Sequence, residues 1–242
     1  MFITFSRSKL KILKVVKTAP VLWVGVSLLS ACAFQPELYG TPQCEGSATY
    51  SAVFNSTWSA ETHPNDFPDK AHFSELIGAT HNSEVSFWSV GQKASAGIKD
   101  VSEIGVNRKF IKEVKWAMKI GEAGSVVHGP DIKQASGQIT VDFQVSHKYS
   151  LLTLMTMIAP SPDWFVGISS LNLCENGTWL ANKTIDLKVY DAGTDDGESY
   201  AAEDKVTMPK EEITELSSGM HNENGVIPQF ATLSLKLTSL KQ

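Results

Sequence analysis

The stretch "ITVDFQVS" (139–146) alternates without a break: Ile139, Val141, Phe143 and Val145 are apolar, and Thr140, Asp142, Gln144 and Ser146 are polar. Successive side chains of an extended backbone point to opposite faces, so this pattern specifies a strand with one face in a core and the other in water. The same period recurs at Ile185, Leu187 and Val189, and again at Leu233, Leu235 and Leu237. "TYSAVFNSTW" (49–58), "EVSFWSV" (84–90) and "LLTLMTMI" (151–158) add strand candidates, and "SPDWFVGI" (161–168) reads as a turn running into a buried strand. Helical spacing is confined to two places. One is "AHFSELIGAT" (71–80), with Phe73, Leu76 and Ile77 on one face; the other is roughly 99–118, with Val101, Ile104, Phe110 and Val114. Many strands between turn residues and few helices predict an all-β fold, an antiparallel β-sandwich with two short helical insertions. At 242 residues and 42% hydrophobic content, the chain suits one good-sized core.

Residues 1–31 stand apart from that core. Arg7, Lys9, Lys11, Lys14 and Lys17 precede an apolar run, "APVLWVGVSLLSA" (19–31), that is too short to span a bilayer and ends in small residues. This is the layout of an export signal. "LSAC" (29–32) resembles the lipobox of bacterial lipoproteins, which makes Cys32 the expected lipidation site and new N-terminus. The rival is ordinary cleavage after Ala33, because "ACA" also fits a small-x-small site. Ala33 after the cysteine implies sorting to the outer membrane, with the acyl chains anchoring the protein. Residues 32–43 then form the lipidated N-terminus and linker, and 44–240 the folded domain.

Removing the signal takes away five cations and no anions, which leaves 16 basic against 26 acidic groups, a net of −10. Such a surface repels phosphate backbones, so no nucleic-acid partner is expected. Of the three cysteines, Cys44 and Cys174 remain once Cys32 is lipidated. An even pair in an exported chain predicts a disulfide, with two unrelated thiols as the rival.

Four aspartates occupy glycine-rich, turn-like contexts: Asp163 before one strand, and Asp191, Asp195 and Asp196 in "YDAGTDDGESY" (190–200) after another. If those strand ends are neighbours, Asp163, Asp191 and Asp195 converge, and like charges brought together need protons or a cation. Calcium takes six to eight oxygens and suits carboxylates from separate loops. The spacing is not that of an EF-hand, and an Asp-rich turn also fits a solvated hairpin.

Taken in order, "YSAVFNSTWSAETHPNDFPDKAHFSELIGATHN" (50–82), "FWSVGQKASAGI" (87–98), "SPDWFVGISSLNLC" (161–174), "YDAGTDDGESY" and "ITELSS" (213–218) resemble the spondin domain family of the F-spondin and mindin type. The likeness covers about residues 44–240 and is similar to bacterial lipoproteins that carry a single spondin domain. It implies a β-sandwich like that of C2 domains, with one Ca2+ at a sheet edge held by Asp163, Asp191 and Asp195. Asp196 stands where the animal proteins usually carry serine, as an outer-shell charge or a merely solvated one. The Cys44–Cys174 bridge is also a feature of the family.

The expected function is therefore a calcium-binding, lipid-anchored binding or adhesion module of the bacterial envelope. It is non-catalytic, meets the membrane through Cys32 and takes an unknown protein or glycan ligand. The rivals are a metal-dependent envelope hydrolase and a purely structural envelope lipoprotein. No G-x-S-x-G motif is present, and nothing in the sequence joins Ser161 or Ser169 to a histidine and an acid. His63, His72 and His81 recur every nine residues, a spacing that matches neither a helix face nor a zinc pair, so local hydrogen bonds are expected of them. Trp58, Trp88 and Trp164 are expected core anchors.

Overall fold

The computed structural model describes residues 43–216 and 227–241. The export signal, Cys32, the linker up to residue 42 and the end of "ITELSS" lie outside the described residues. Along the chain run β1 (Ser47–Thr57), β2 (His72–Phe73), β3 (Ile77–His81), α1 (Ala96–Ile104), α2 (Arg108–Lys119), β4 (Ala123–His128), β5 (Ser136–Ser146), β6 (Leu151–Ala159), β7 (Trp164–Asn172), β8 (Cys174–Glu175), β9 (Thr178–Trp179), β10 (Asn182–Asp186), β11 (Lys188–Asp191), β12 (Thr214–Glu215) and β13 (Ala231–Lys241). One sheet has the order β10-β13-β1-β5; the other runs β12-β11-β7-β6-β3-β4, with β2 added on β6. Strands β8 and β9 pair as a small hairpin.

Period two explains the first sheet. Strand β1 lies between β13 and β5, antiparallel to both, with Tyr50 opposite Phe143 and Leu237, and Phe54 opposite Ile139 and Leu233. Its first residue, Ser47, pairs with Lys241 at the far end of β13. The alternate residues Ala48, Tyr50, Ala52 and Phe54 are buried together with Ile139, Val141, Phe143 and Val145. They pack on Leu152, Leu154, Val166 and Ile168 of the facing sheet. Each fully buried large side chain contributes about 1.5–3 kcal/mol of transfer free energy, so these rows dominate the core.

The middle of the second sheet, β3, β6 and the first half of β7, is buried on both faces. Along β6, every residue after Leu151 is buried, because α1 and α2 cover the side away from the first sheet. Ile77, Ala79, Met155 and Phe165 meet Ile98, Val101, Phe110 and Val114 there, in a second core. The architecture is thus helices, sheet and sheet, an antiparallel sandwich with a helical cover. Buried Thr153 and Thr156 on β6 are satisfied by His81 Nε2 at 2.8 Å and by the Ser74 carbonyl at 2.8 Å.

The helical cover shows why one expected helix became two. Gly105 closes α1 at φ 64°, a left-handed conformation that favours glycine, and its N–H donates to the Val101 carbonyl at 3.1 Å. Ser95 caps the other end by accepting the Ile98 N–H at 3.0 Å. Glu113 of α2 then accepts from Ser95 Oγ and from the Gly97 N–H, both at 2.7 Å, placing a carboxylate on the positive end of α1. A Cβ on Gly97 would lie 2.4 Å from Glu113 Oε2 and 2.6 Å from Phe110 Cα. Gly97→Ala should therefore lower unfolding free energy by about 1–3 kcal/mol, the usual cost of overpacking. A denaturant midpoint that does not move would refute that close approach.

The expected helix at 71–80 is instead two strands, β2 and β3. Leu76 packs into the sandwich core and Ile77 into the helical one, the opposite-sided placement of an extended chain. A Cβ on Gly78 would sit 1.9 Å from the Thr153 carbonyl, so β3 lies flush on β6. Residues 84–90, expected as a strand, are irregular, yet Phe87 and Trp88 are buried in the helical core. The expected strands at 49–58, 139–145, 151–158 and 233–237 are found in β1, β5, β6 and β13, while 185–189 divides between β10 and β11 as the chain changes sheets.

Candidate metal centre

The register of two strands builds the acidic cluster. Asp191, the last residue of β11, pairs with Trp164, the first of β7, and the Ala192 N–H donates to the Asp163 carbonyl at 3.3 Å. Antiparallel pairing thereby makes Asp163 and Asp191 neighbours although they are far apart in sequence. The loop after β11 folds over Asp163. Gly193 takes φ 67°, and a Cβ there would lie 2.7 Å from the Glu211 backbone, so both conformation and space call for glycine.

Asp163 is fully buried. Its Oδ2 accepts the Thr194 N–H at 2.7 Å, the Thr194 hydroxyl at 3.2 Å and the Asp195 N–H at 3.2 Å. Its Oδ1 has no hydrogen-bond partner. Burial first, and then the Asp191 charge, push the Asp163 carboxyl up to about 7 against the opposing backbone donors. Asp191 is half-buried and accepts the Gly193 N–H at 2.7 Å. Burial raises its carboxyl, with Glu211 and Asp196 adding to the rise and the Gly193 and Trp164 hydrogen bonds opposing it.

The other two aspartates sit differently. Asp195 is buried, and its oxygens accept the Gly197 N–H at 2.9 Å and the Lys205 N–H at 2.8 Å. Asp196 is exposed, accepts from the Thr207 hydroxyl at 2.6 Å and lies 3.8 Å from Lys205 Nζ. The structure thus joins Asp163 to Asp191 by charge, and to Asp195 through a backbone bond. Among the described residues, no three His, Cys, Asp or Glu side chains form a metal-holding group by themselves. The donors the cluster gathers are carboxylate oxygens, which hard cations prefer to the nitrogen and sulfur ligands favoured by zinc or copper.

Cys44 and Cys174 are bonded, 5.8 Å apart at Cα, and the Cys44 N–H also reaches Cys174 Sγ at 2.9 Å. The bridge ties the residues just ahead of β1 to β8. Residues 48–229 match the Spondin_N family. The chain belongs to the spondin family. It is 36% identical over 204 residues to Spondin-2 of Rattus norvegicus, covering 81% of this chain and 62% of that one. The human Spondin-2 is 36% identical over 178 residues, covering 71% and 53%. Spondin-1 of Mus musculus is 34% identical over 211 residues, covering 81% and 26%. This spondin chain spans about three fifths or less of these relatives' lengths.

His63, His72 and His81 of the spondin domain each make the expected local hydrogen bond, and His81 also reaches Thr153 of β6. His63 Nδ1 meets the Thr62 hydroxyl, His72 Nδ1 the Lys70 carbonyl and His81 Nδ1 the Asn82 carbonyl, each at 2.8 Å. Trp58, Trp88 and Trp164 are core residues. His63 is also buried, with its ring centroid 4.1 Å from that of Phe230, and burial pulls its imidazole down to about 4. A depressed histidine stabilises the fold fully above its unfolded value near 6.5 and loses that contribution as pH falls towards 4, a difference of roughly 3 kcal/mol. Denaturation at stepped pH should show the acid loss in wild type and a flatter profile in His63→Gln. Equal slopes would refute a buried neutral imidazole.

The sequence reading missed Thr194, whose amide and hydroxyl both serve Asp163. The signal was present in "DAGT": an aspartate two residues before a glycine favours a turn that aims the following amides inward. It also missed the outward face of α2, where the cationic spacing of "RKFIKEVKWAMK" is plain once its apolar face is known.

Proposed function

We propose that this spondin domain is a calcium-stabilised, non-catalytic binding or adhesion module, held at the bacterial envelope by lipid on Cys32, with the outer membrane as its address. The observation that carries the calcium reading is the fully buried Asp163 with an unpartnered Oδ1 beside the Asp191 carboxylate. An orphan carboxylate oxygen in that setting calls for either a proton or a cation. Asp163 and Asp191 would hold the ion. Asp195 would join them, since each of its oxygens has spare lone-pair capacity beyond its one backbone N–H bond. When bound, calcium supplies positive charge that lets these carboxylates stay ionised at close quarters.

The chain's own residues do the rest. Thr194 and the Asp195 amide fix the Asp163 rotamer, Gly193 lets the loop close over it, and Ser161 holds the turn by accepting the Trp164 N–H at 3.1 Å. Asp196 stays outside as a solvated charge paired with Thr207. The partner is a protein or glycan, met by loops near the cluster or by a sandwich face. Metal analysis of the purified protein, with melting curves before and after chelation and magnesium as the control ion, tests the calcium reading. Absence of bound calcium together with unchanged melting on calcium addition would overturn it.

A further inference from the structure

Helix α2 carries five of the chain's cations within twelve residues, in a protein whose formal charge is negative. Phe110, Val114 and Ala117 are its buried side. Arg108, Lys112, Lys115 and Lys119 follow the i, i+4, i+7, i+11 spacing of a single stripe, directly opposite that side, and all four are exposed. The acids of α1 and α2 are engaged elsewhere. Glu113 is turned onto the N-terminus of α1, Asp100 pairs with Lys109, and Glu103 pairs with Lys99. Among the described residues, the four stripe cations have no ion-pair partner. Beside them Trp116 is 60% exposed, with Lys119 Nζ 5.4 Å from its ring centroid.

We infer that the outward face of α2 is a docking surface for a bilayer that displays anionic phosphate head groups. An uncompensated basic stripe about 16 Å long, at 1.5 Å per residue, asks for a polyanion. Trp116 decides which one. A large indole left in water beside lysines gains little from a soluble polyanion, but at a bilayer surface it enters the interfacial layer while the lysines reach phosphates. The helix is held flat by Phe110, Val114 and Ala117, so the stripe lies parallel to the surface it meets. Each cation near an anionic leaflet contributes about 1 kcal/mol, or about fivefold in partitioning. The inference is independent of the calcium site and of lipid on Cys32, and would add to such a tether.

The test uses the full chain with vesicles of phosphatidylcholine alone or mixed with phosphatidylglycerol, the latter also in brominated form to quench tryptophan. Anionic vesicles should quench a component of the emission that vanishes in Trp116→Phe, weakens with added salt and is absent with phosphatidylcholine alone. Lys112→Glu, Lys115→Glu and Lys119→Glu combined should reduce that quenching at equal lipid by at least about a hundredfold in partition coefficient, with melting unchanged because all three are exposed. Quenching that survives either variant would overturn the inference. So would displacement-free binding of a soluble sulfated polysaccharide to this face without any quenching by anionic vesicles.

Discussion

Calcium at a hundredfold excess over its dissociation constant is expected to stabilise the wild-type domain by about 2.7 kcal/mol and to leave Asp163→Asn unmoved. Without calcium the order reverses. Asp163 is fully buried with one oxygen unpartnered, and its carboxyl stands at about 7 in the folded domain. A carboxyl raised in this way contributes its stability below the unfolded value near 4, and loses it as pH climbs through 7. The difference is roughly 4 kcal/mol over that span. Asparagine retains an oxygen for the Thr194 and Asp195 amides and has no such slope. At neutral pH in chelator, Asp163→Asn should therefore be at least as stable as wild type; with calcium it should be the weaker of the two. Melting curves of both proteins in chelator and in calcium provide the check. A variant weaker than wild type by the same amount in both conditions would mean that Asp163 serves packing alone.

Reduction of the Cys44–Cys174 bridge should be the most damaging change to stability. The bond spans a sequence separation of 130 residues, and the chain-entropy estimate for a loop of that length is about 5 kcal/mol. Cys44 is itself buried in the sandwich core, three residues ahead of central strand β1. Losing the bond thus frees the start of the strand on which both flanking pairings depend. Urea unfolding of the oxidised protein against a Cys44→Ser, Cys174→Ser pair measures the effect. A loss below about 1 kcal/mol would show that β1 is fixed by its ladders alone.

How far the sequence foretold this arrangement follows from burial. Strands β1, β5 and β13 have one face in the core and one towards water over much of their length, so their alternation was readable residue by residue. Strand β6 is buried on both faces, and a run such as "LLTLMTMI" carries no period to distinguish strand from helix. The segment around Leu76 and Ile77 mimicked a helical face because its apolar residues serve two different cores. Residues 84–90 looked like a strand since Phe87 and Trp88 are buried, but they fill the helical core without joining a ladder. The single long helix expected near 99–118 is broken by Gly105, and a glycine inside a helical pattern was the available warning.

The acidic cluster was legible only as a list of aspartates. That Asp163 and Asp191 meet depends on the pairing of β7 with β11, a long-range contact that local pattern does not encode. The resemblance to spondin domains supplied it. Resemblance could not supply the unpartnered oxygen of Asp163, nor the two backbone bonds that already occupy Asp195. Trp116 went unremarked because an apolar residue in an amphipathic helix is ordinarily assigned to the core, whereas the three-dimensional packing leaves it outside.

Ser47 and Lys241 are partners in the same ladder, so the polypeptide comes in and goes out of the fold at one corner. A reporter fused after Lys241 would therefore emerge beside the first residue of β1 and leave the far ends of both strands clear. Joining the two ends with a short peptide and reopening the chain at an exposed turn, such as the glycine-containing one between β8 and β9, should give a permuted protein that still folds.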